Sequence, residues 1–186
     1  ICEDLGDKNI PTQNVMKKLN LSGISVTQFD HRGSTAPKRN VIMLGSHDNQ
    51  SFLEFAKNFF RSKYNYDTSS HFLFKTRNLA EDTISQNAST KNFAEYLKKI
   101  RKNPKEFIAA SFTELFASPA RRVQIFFADF WGLGQTYNRP GTTQGNWALR
   151  LDSNFEDMYY KAASEGRAPN LADAVARALR HRGLDK

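Results

Sequence analysis

Four consecutive apolar residues, Val41-Ile-Met-Leu44, constrain the fold more than any other part of this chain. A strand without a polar side is covered on both faces, as in a parallel sheet flanked by helices. The surrounding sequence fits that setting. Gly23 precedes Ile24 to Phe29, a β-branched and aromatic run that predicts a second strand. Val123 to Phe127 predicts a third, and Ile1-Cys-Glu3 looks like the tail of a fourth. Helical segments lie between them. Thr12 or Asn14 caps a helix reaching about Asn20, and another runs from about Ser51 to Ser62. Two more are expected over Lys91 to Lys102 and Lys105 to Ala117, the second with Pro104 at its start. The C-terminal stretch reads as helix, and Gly132 to Asn146 as a glycine- and proline-rich loop. Strands and helices in alternation imply an α/β protein with a parallel sheet. The polar stretch from Tyr64 to Thr90 carries no clear assignment.

Composition narrows the classes. The 186 residues are 39% hydrophobic and 25% charged, enough to build a core and unlike a disordered chain. The length is that of one domain and falls short of the ~250 residues typical of a complete (β/α)₈ barrel. No apolar run approaches the ~20 residues of a membrane span, so no membrane partner is expected. The chain opens with Ile1, which reads as a processed or excised piece. A single cysteine, Cys2, is incompatible with a disulfide framework and suits a cytoplasmic protein. The net charge of +8 raises nucleic acid as a partner. Yet Lys98, Lys99, Arg101, Lys102 and Lys105 sit in a mixed-charge helical stretch, and Arg177, Arg180 and Arg182 near a C-terminus, so no basic stripe forms and nucleic acid is not expected. Among the 15 phenylalanines, Phe52, Phe55, Phe59 and Phe60 recur at helical spacing, which indicates core.

In parallel α/β folds chemistry sits at the carboxyl edge of the sheet. Three strand exits here carry polar groups: Glu3-Asp4, His47-Asp-Asn49 and Asp129. Carboxylates at such exits face one mouth, and a pair about 5 to 5.5 Å apart is the arrangement of retaining glycosidic chemistry. Taken by itself the pattern has a plainer reading, because Asp48 or Asn49 at the head of a helix from Ser51 also serves as an N-cap.

Read in order, Ile-Cys-Glu-Asp-Leu-Gly (1–6), Gly45-Ser-His-Asp-Asn49, Tyr137-Asn-Arg-Pro-Gly-Thr142 and Gly145-Asn-Trp-Ala-Leu-Arg150 resemble the amylomaltases. These are the disproportionating 4-α-glucanotransferases of the α-amylase-like clan. Their motifs E-D-L-G, H-D-N and N-x-P-G-T…G-N-W-x-x-R follow the fifth, seventh and eighth strands of a (β/α)₈ barrel. Gly23 to Phe29 looks like the sixth strand, and Ser118-Pro-Ala-Arg121 with Val123 to Gly134 like the eighth and its exit. The resemblance implies the C-terminal half of such a barrel over residues 1–186, strands five to eight with the terminal helices. Residues 64–90 have no match in it and read as an insertion or loop.

By the same resemblance Glu3 is the general acid/base and Asp48 the carboxylate that stabilises the transition state. His47 and Asn138 contact the glucan. Asp4, Asp129, Asn146, Trp147 and Arg150 fit the pattern as residues that shape and support the mouth. The implied reaction transfers a segment of α-1,4-glucan to glucose or another glucan through a covalent intermediate, with no metal or organic cofactor. The family's nucleophilic aspartate has no counterpart: Asp30-His-Arg32 is similar to its neighbourhood but lies downstream of the E-D-L-G segment, where a loop explains it. An N-terminal half of the barrel, in the same or a separate chain, is therefore an expected partner, and the segment alone is expected to be inactive. The alternatives are a glucan-binding module without turnover and, more remotely, a nucleic-acid-binding protein.

Overall fold

A computed structural model describes residues 10–29, 32–62 and 66–184, with the side chains of 66–69 outside the description. The predicted strand tail at residues 1–3, with Glu3 and Asp4, lies outside these residues, as do Asp30 and His31. Three parallel strands form one sheet in the order β1 (Ile24–Val26), β2 (Val41–Met43), β3 (Arg122–Val123). Ile24 pairs with Val41 and Val26 with Met43; Val41 pairs with Arg122 and Ile42 with Val123. The ladder runs on past the strand ends, where Gln28 N donates to Leu44 O and Gln124 N to Ile42 O, both at 2.9 Å.

The continuous apolar run behaves as its composition requires. All three residues of β2 are buried, and the pleat sends them to opposite faces. Ile42 and Leu44 join the main core with the helices, whereas Val41 and Met43 meet Val26 and Ile24 in a smaller separate cluster.

Eight α-helices are described. They are α1 (Ile10–Lys18), α2 (Phe52–Ser62), α3 (Tyr66–Thr83), α4 (Thr90–Lys102), α5 (Pro104–Ala117), the short α6 (Phe127–Phe130), α7 (Phe155–Ser164) and α8 (Leu171–His181). Side-chain caps set several of their starts. Ser89 accepts from Asn92 N, Asn103 from Lys105 N and Asn170 from Asp173 N, and Pro104 opens α5.

Helix α5 is apolar nearly all round, so it lies at the centre, packed by α2, α3, α4 and α8. Its Phe107 is fully buried, with ring centroids 5.9, 5.1 and 5.6 Å from those of Phe52, Phe59 and Phe60. The phenylalanine spacing of α2 is thus core, as expected. Among the described residues no helix is long and apolar enough to cross a membrane.

Two expectations need correction. Most of the stretch from Tyr64 to Thr90 is the long helix α3, whose Leu79 and Ala80 are fully buried. The apolar positions are spaced among polar groups that bond internally, such as Thr76 Oγ1 to Phe72 O at 2.8 Å, which hides the helical period. The third strand stops at Val123, and Phe127 already belongs to α6, because its ring packs edge-on against Tyr137 at 5.2 Å instead of entering the sheet. The C-terminal stretch is helical, as expected, in two helices separated where Gly166 takes a φ of +71°.

Among the described residues no α-helix crosses from β1 to β2. The described part of the connection, residues 27–29 and 32–40, holds the 3₁₀ turn Gly33–Thr35, laid against α5. A buried ionic group holds it there. Gly33 N donates to Glu114 Oε1 at 2.8 Å, and Lys75 Nζ donates to Thr27 O at 2.6 Å while lying 3.9 Å from Glu114 Oε2. Arg32 adds a two-pronged contact to Asp82, at 2.6 and 2.9 Å, and a bond to Glu81 at 2.9 Å. Burial pushes the Glu114 carboxyl above the usual carboxylate range, against the pull of Lys75 and the Gly33 amide.

Candidate functional site

The exit from β2 is a turn that closes on itself. Asn49 Oδ1 accepts from Ser46 N at 2.8 Å and from Ser46 Oγ at 3.2 Å, and Asp48 N donates to Ser46 Oγ at 3.3 Å. Capping of α2 falls to other residues. Phe52 N donates to Asp129 Oδ1 at 2.5 Å, and Ser51 Oγ accepts from Glu54 N at 3.4 Å. Asp48 and Asn49 therefore do not cap the helix, and the plainer reading of the strand exit does not hold.

Asp129 does not stand at the mouth with Asp48 either. It is 3% exposed at the start of α2, and burial lifts its carboxyl to about 7 although the Phe52 amide pulls it down. It is a structural group, as the sequence pattern suggests, but it acts from inside the fold.

Asp48 is held from the far side of the chain. Asn138 Nδ2 donates to Asp48 Oδ1 at 2.5 Å, and Asn138 N donates to His47 O at 3.0 Å. His47 Nε2 lies 3.2 Å from the same Asp48 oxygen. Among the described residues Oδ2 of Asp48 takes no protein hydrogen bond. The side chain is one-third exposed, and both of these contacts fall on Oδ1. Three predicted site residues, His47, Asp48 and Asn138, thus come together across 90 residues of sequence.

The loop that delivers Asn138 is tied internally. Asn146 Oδ1 accepts from Arg139 N at 3.0 Å, and its Nδ2 donates to Thr142 O at 2.8 Å. Trp147 N donates to Tyr137 O at 3.0 Å, which pins the far end of the loop beside Asn138. Asn146 is therefore paired with the backbone of its own loop. Arg150 bonds locally, its Nη1 donating to the carbonyls of Trp147 at 2.7 Å and Leu149 at 2.9 Å.

One supporting residue escapes the sequence reading. Gln28, buried at the exit of β1, donates from Nε2 to Gln50 O at 2.9 Å and fixes the chain just after the site turn. Its signal was Gly45: a Cβ there would stand 2.8 Å from Gln28 Nε2, so the strand end needs a residue without one.

A parallel sheet with an anchored Asp–His–Asn group at the exit of its central strand defines an α/β protein with a polar site at the carboxyl edge. The chain belongs to the 4-alpha-glucanotransferase family, glycoside hydrolase family 77, whose model matches residues 1–155. Two solved structures show the same fold. The amylomaltase from Corynebacterium glutamicum matches with a TM-score of 0.54 at 18% identity, over 96% of this chain and 28% of that one. The amylomaltase from Streptococcus agalactiae in complex with acarbose matches with a TM-score of 0.50 at 15% identity, over 90% of this chain and 32% of that one. The chain thus spans about a third or less of the length of these proteins. No curated protein sequence matches it.

Proposed function

We propose that residues 1–186 form the C-terminal half of a 4-α-glucanotransferase barrel and supply two of its catalytic groups. The order β1-β2-β3 follows the sequence without reversal, which suits consecutive barrel strands six to eight, with residues 1–3 ending the fifth. Helix α3 and its flanks, residues 64–90, are then an addition packed on the outer layer. The observation that carries the reading is the grip of Asn138 and His47 on one oxygen of Asp48 at the strand exit.

In this reading Glu3 protonates the departing glycosidic oxygen and later takes the proton of the incoming sugar hydroxyl. An aspartate of the N-terminal half, in the same or a separate chain, attacks the anomeric carbon and holds the glucosyl unit. Asp48, oriented through Oδ1, offers Oδ2 to the sugar hydroxyls as the ring gains oxocarbenium character. Because that carboxylate is fixed before substrate arrives, little reorganisation opposes the transition state. Asn138 and His47 complete the binding of the α-1,4-glucan, and the reaction runs in the cytoplasm without a cofactor.

The test is disproportionation of maltotriose, followed by glucose release. The 186-residue chain alone is expected to release none, and the chain combined with a barrel half carrying the aspartate is expected to be active. Turnover by the chain alone, or none by the combination, overturns the proposal.

A further inference from the structure

Trp147 combines two properties that a purely structural tryptophan seldom has. Its backbone sits at a φ of +62°, in the left-handed region that a bulky side chain avoids. The residue nevertheless remains 51% exposed, so the strained backbone does not serve to bury it. The conformation is enforced from both sides. Trp147 N donates to Tyr137 O at 3.0 Å, and its carbonyl accepts from Arg150 Nη1 at 2.7 Å. Strain of this kind tends to collect at functional sites.

The ring has two aromatic neighbours. Tyr137 meets it edge-on, at a centroid distance of 5.1 Å and an angle of 89°. His47 lies against it at 5.1 Å and 41°. That same histidine reaches Asp48 Oδ1 at 3.2 Å, so the open indole surface adjoins the anchored carboxylate with one imidazole between them. An immobilised aromatic surface beside a polar group presents an apolar area and hydrogen-bonding partners together. A pyranose ring has the matching character, with C–H bonds on its flat face and hydroxyls around its rim.

We propose that Trp147 is a stacking platform for α-glucan, receiving the glucosyl unit next to the one held by Asp48 and Asn138. The inference rests on the glucan reading above and assigns the adjoining sugar a partner. Trp147 is a binding residue in this scheme and takes no part in bond making.

Binding, and not turnover, is the readout, so this proposal and the proposed activity fail separately. The chain has two tryptophans, and in W131F the indole of Trp147 is the only one. Titration of W131F with maltoheptaose is expected to give a saturable change in tryptophan emission. Titration of W147F, which reports Trp131, is expected to give none. By calorimetry W147A should raise the dissociation constant for maltoheptaose about tenfold and W147F by less. An unresponsive W131F, a response that persists in W147F, or an unchanged dissociation constant in W147A overturns the platform, whatever the enzyme does with maltotriose.

Discussion

Asp129→Asn isolates the electrostatics of a carboxyl buried at the head of a helix. In the folded chain the Asp129 carboxyl titrates at about 7, against 3.8 for the free group, because burial disfavours its charge. A raised folded value means that the folded state holds the proton more tightly than the unfolded state between these two pH values. Stability from this group is therefore fully present below about pH 4, is lost progressively up to about pH 7, and is level above that. The gap between 3.8 and about 7 corresponds to about 4 kcal/mol over the whole window. Asparagine keeps the oxygen that accepts from Phe52 N, donates no titrating proton, and so removes the pH dependence at this position. Urea unfolding of wild type and D129N at pH 4, 6 and 8 provides the comparison, with the difference between the two proteins cancelling the titration of Glu114 and other groups. Wild type is expected to be most favoured relative to D129N at pH 4 and to lose that advantage by pH 8. A difference that stays constant across the three pH values would refute the buried, helix-capping placement of Asp129.

Two further substitutions test the packing around the site. In Gly33→Ala the new Cβ would stand 2.4 Å from Glu114 Cγ, a side chain buried and bonded to the Gly33 amide, so a loss of about 1–3 kcal/mol is expected in urea unfolding. Phe107→Ala removes the fully buried ring that joins α5 to α2, and should cost about 3–5 kcal/mol by the same assay.

The parts of the fold with a strong local period were legible from the residues. The apolar run of β2, the phenylalanine spacing of α2 and Pro104 at the head of α5 each led to the element observed. Helix α3 did not show itself, because Lys75 and Asp82 are polar yet buried, and their partners, Thr27 O and Arg32, lie on distant segments. The exchange of Lys75 with Thr27 O and of Glu114 with the Gly33 amide spans 48 and 81 residues, a separation that no window of sequence reveals. The site divides in the same way. His47, Asp48 and Asn138 were named by motif, and their meeting depends on a loop folded by Asn146 and Trp147. The direction of Asp129 and the clasp of Gln28 are tertiary facts: both side chains are common at strand ends, and only packing decides what each one meets.

The central claim is that Asp48 stabilises the transition state of glucan transfer. Its most direct test is Asp48→Asn in the chain combined with the nucleophile-bearing half, with kcat/KM for maltotriose and the thermal midpoint measured together. Asparagine preserves an oxygen for Asn138 and removes the charge, so kcat/KM should fall by at least about 10²–10³-fold while the thermal midpoint is retained. A variant that disproportionates maltotriose at the wild-type rate would contradict the account.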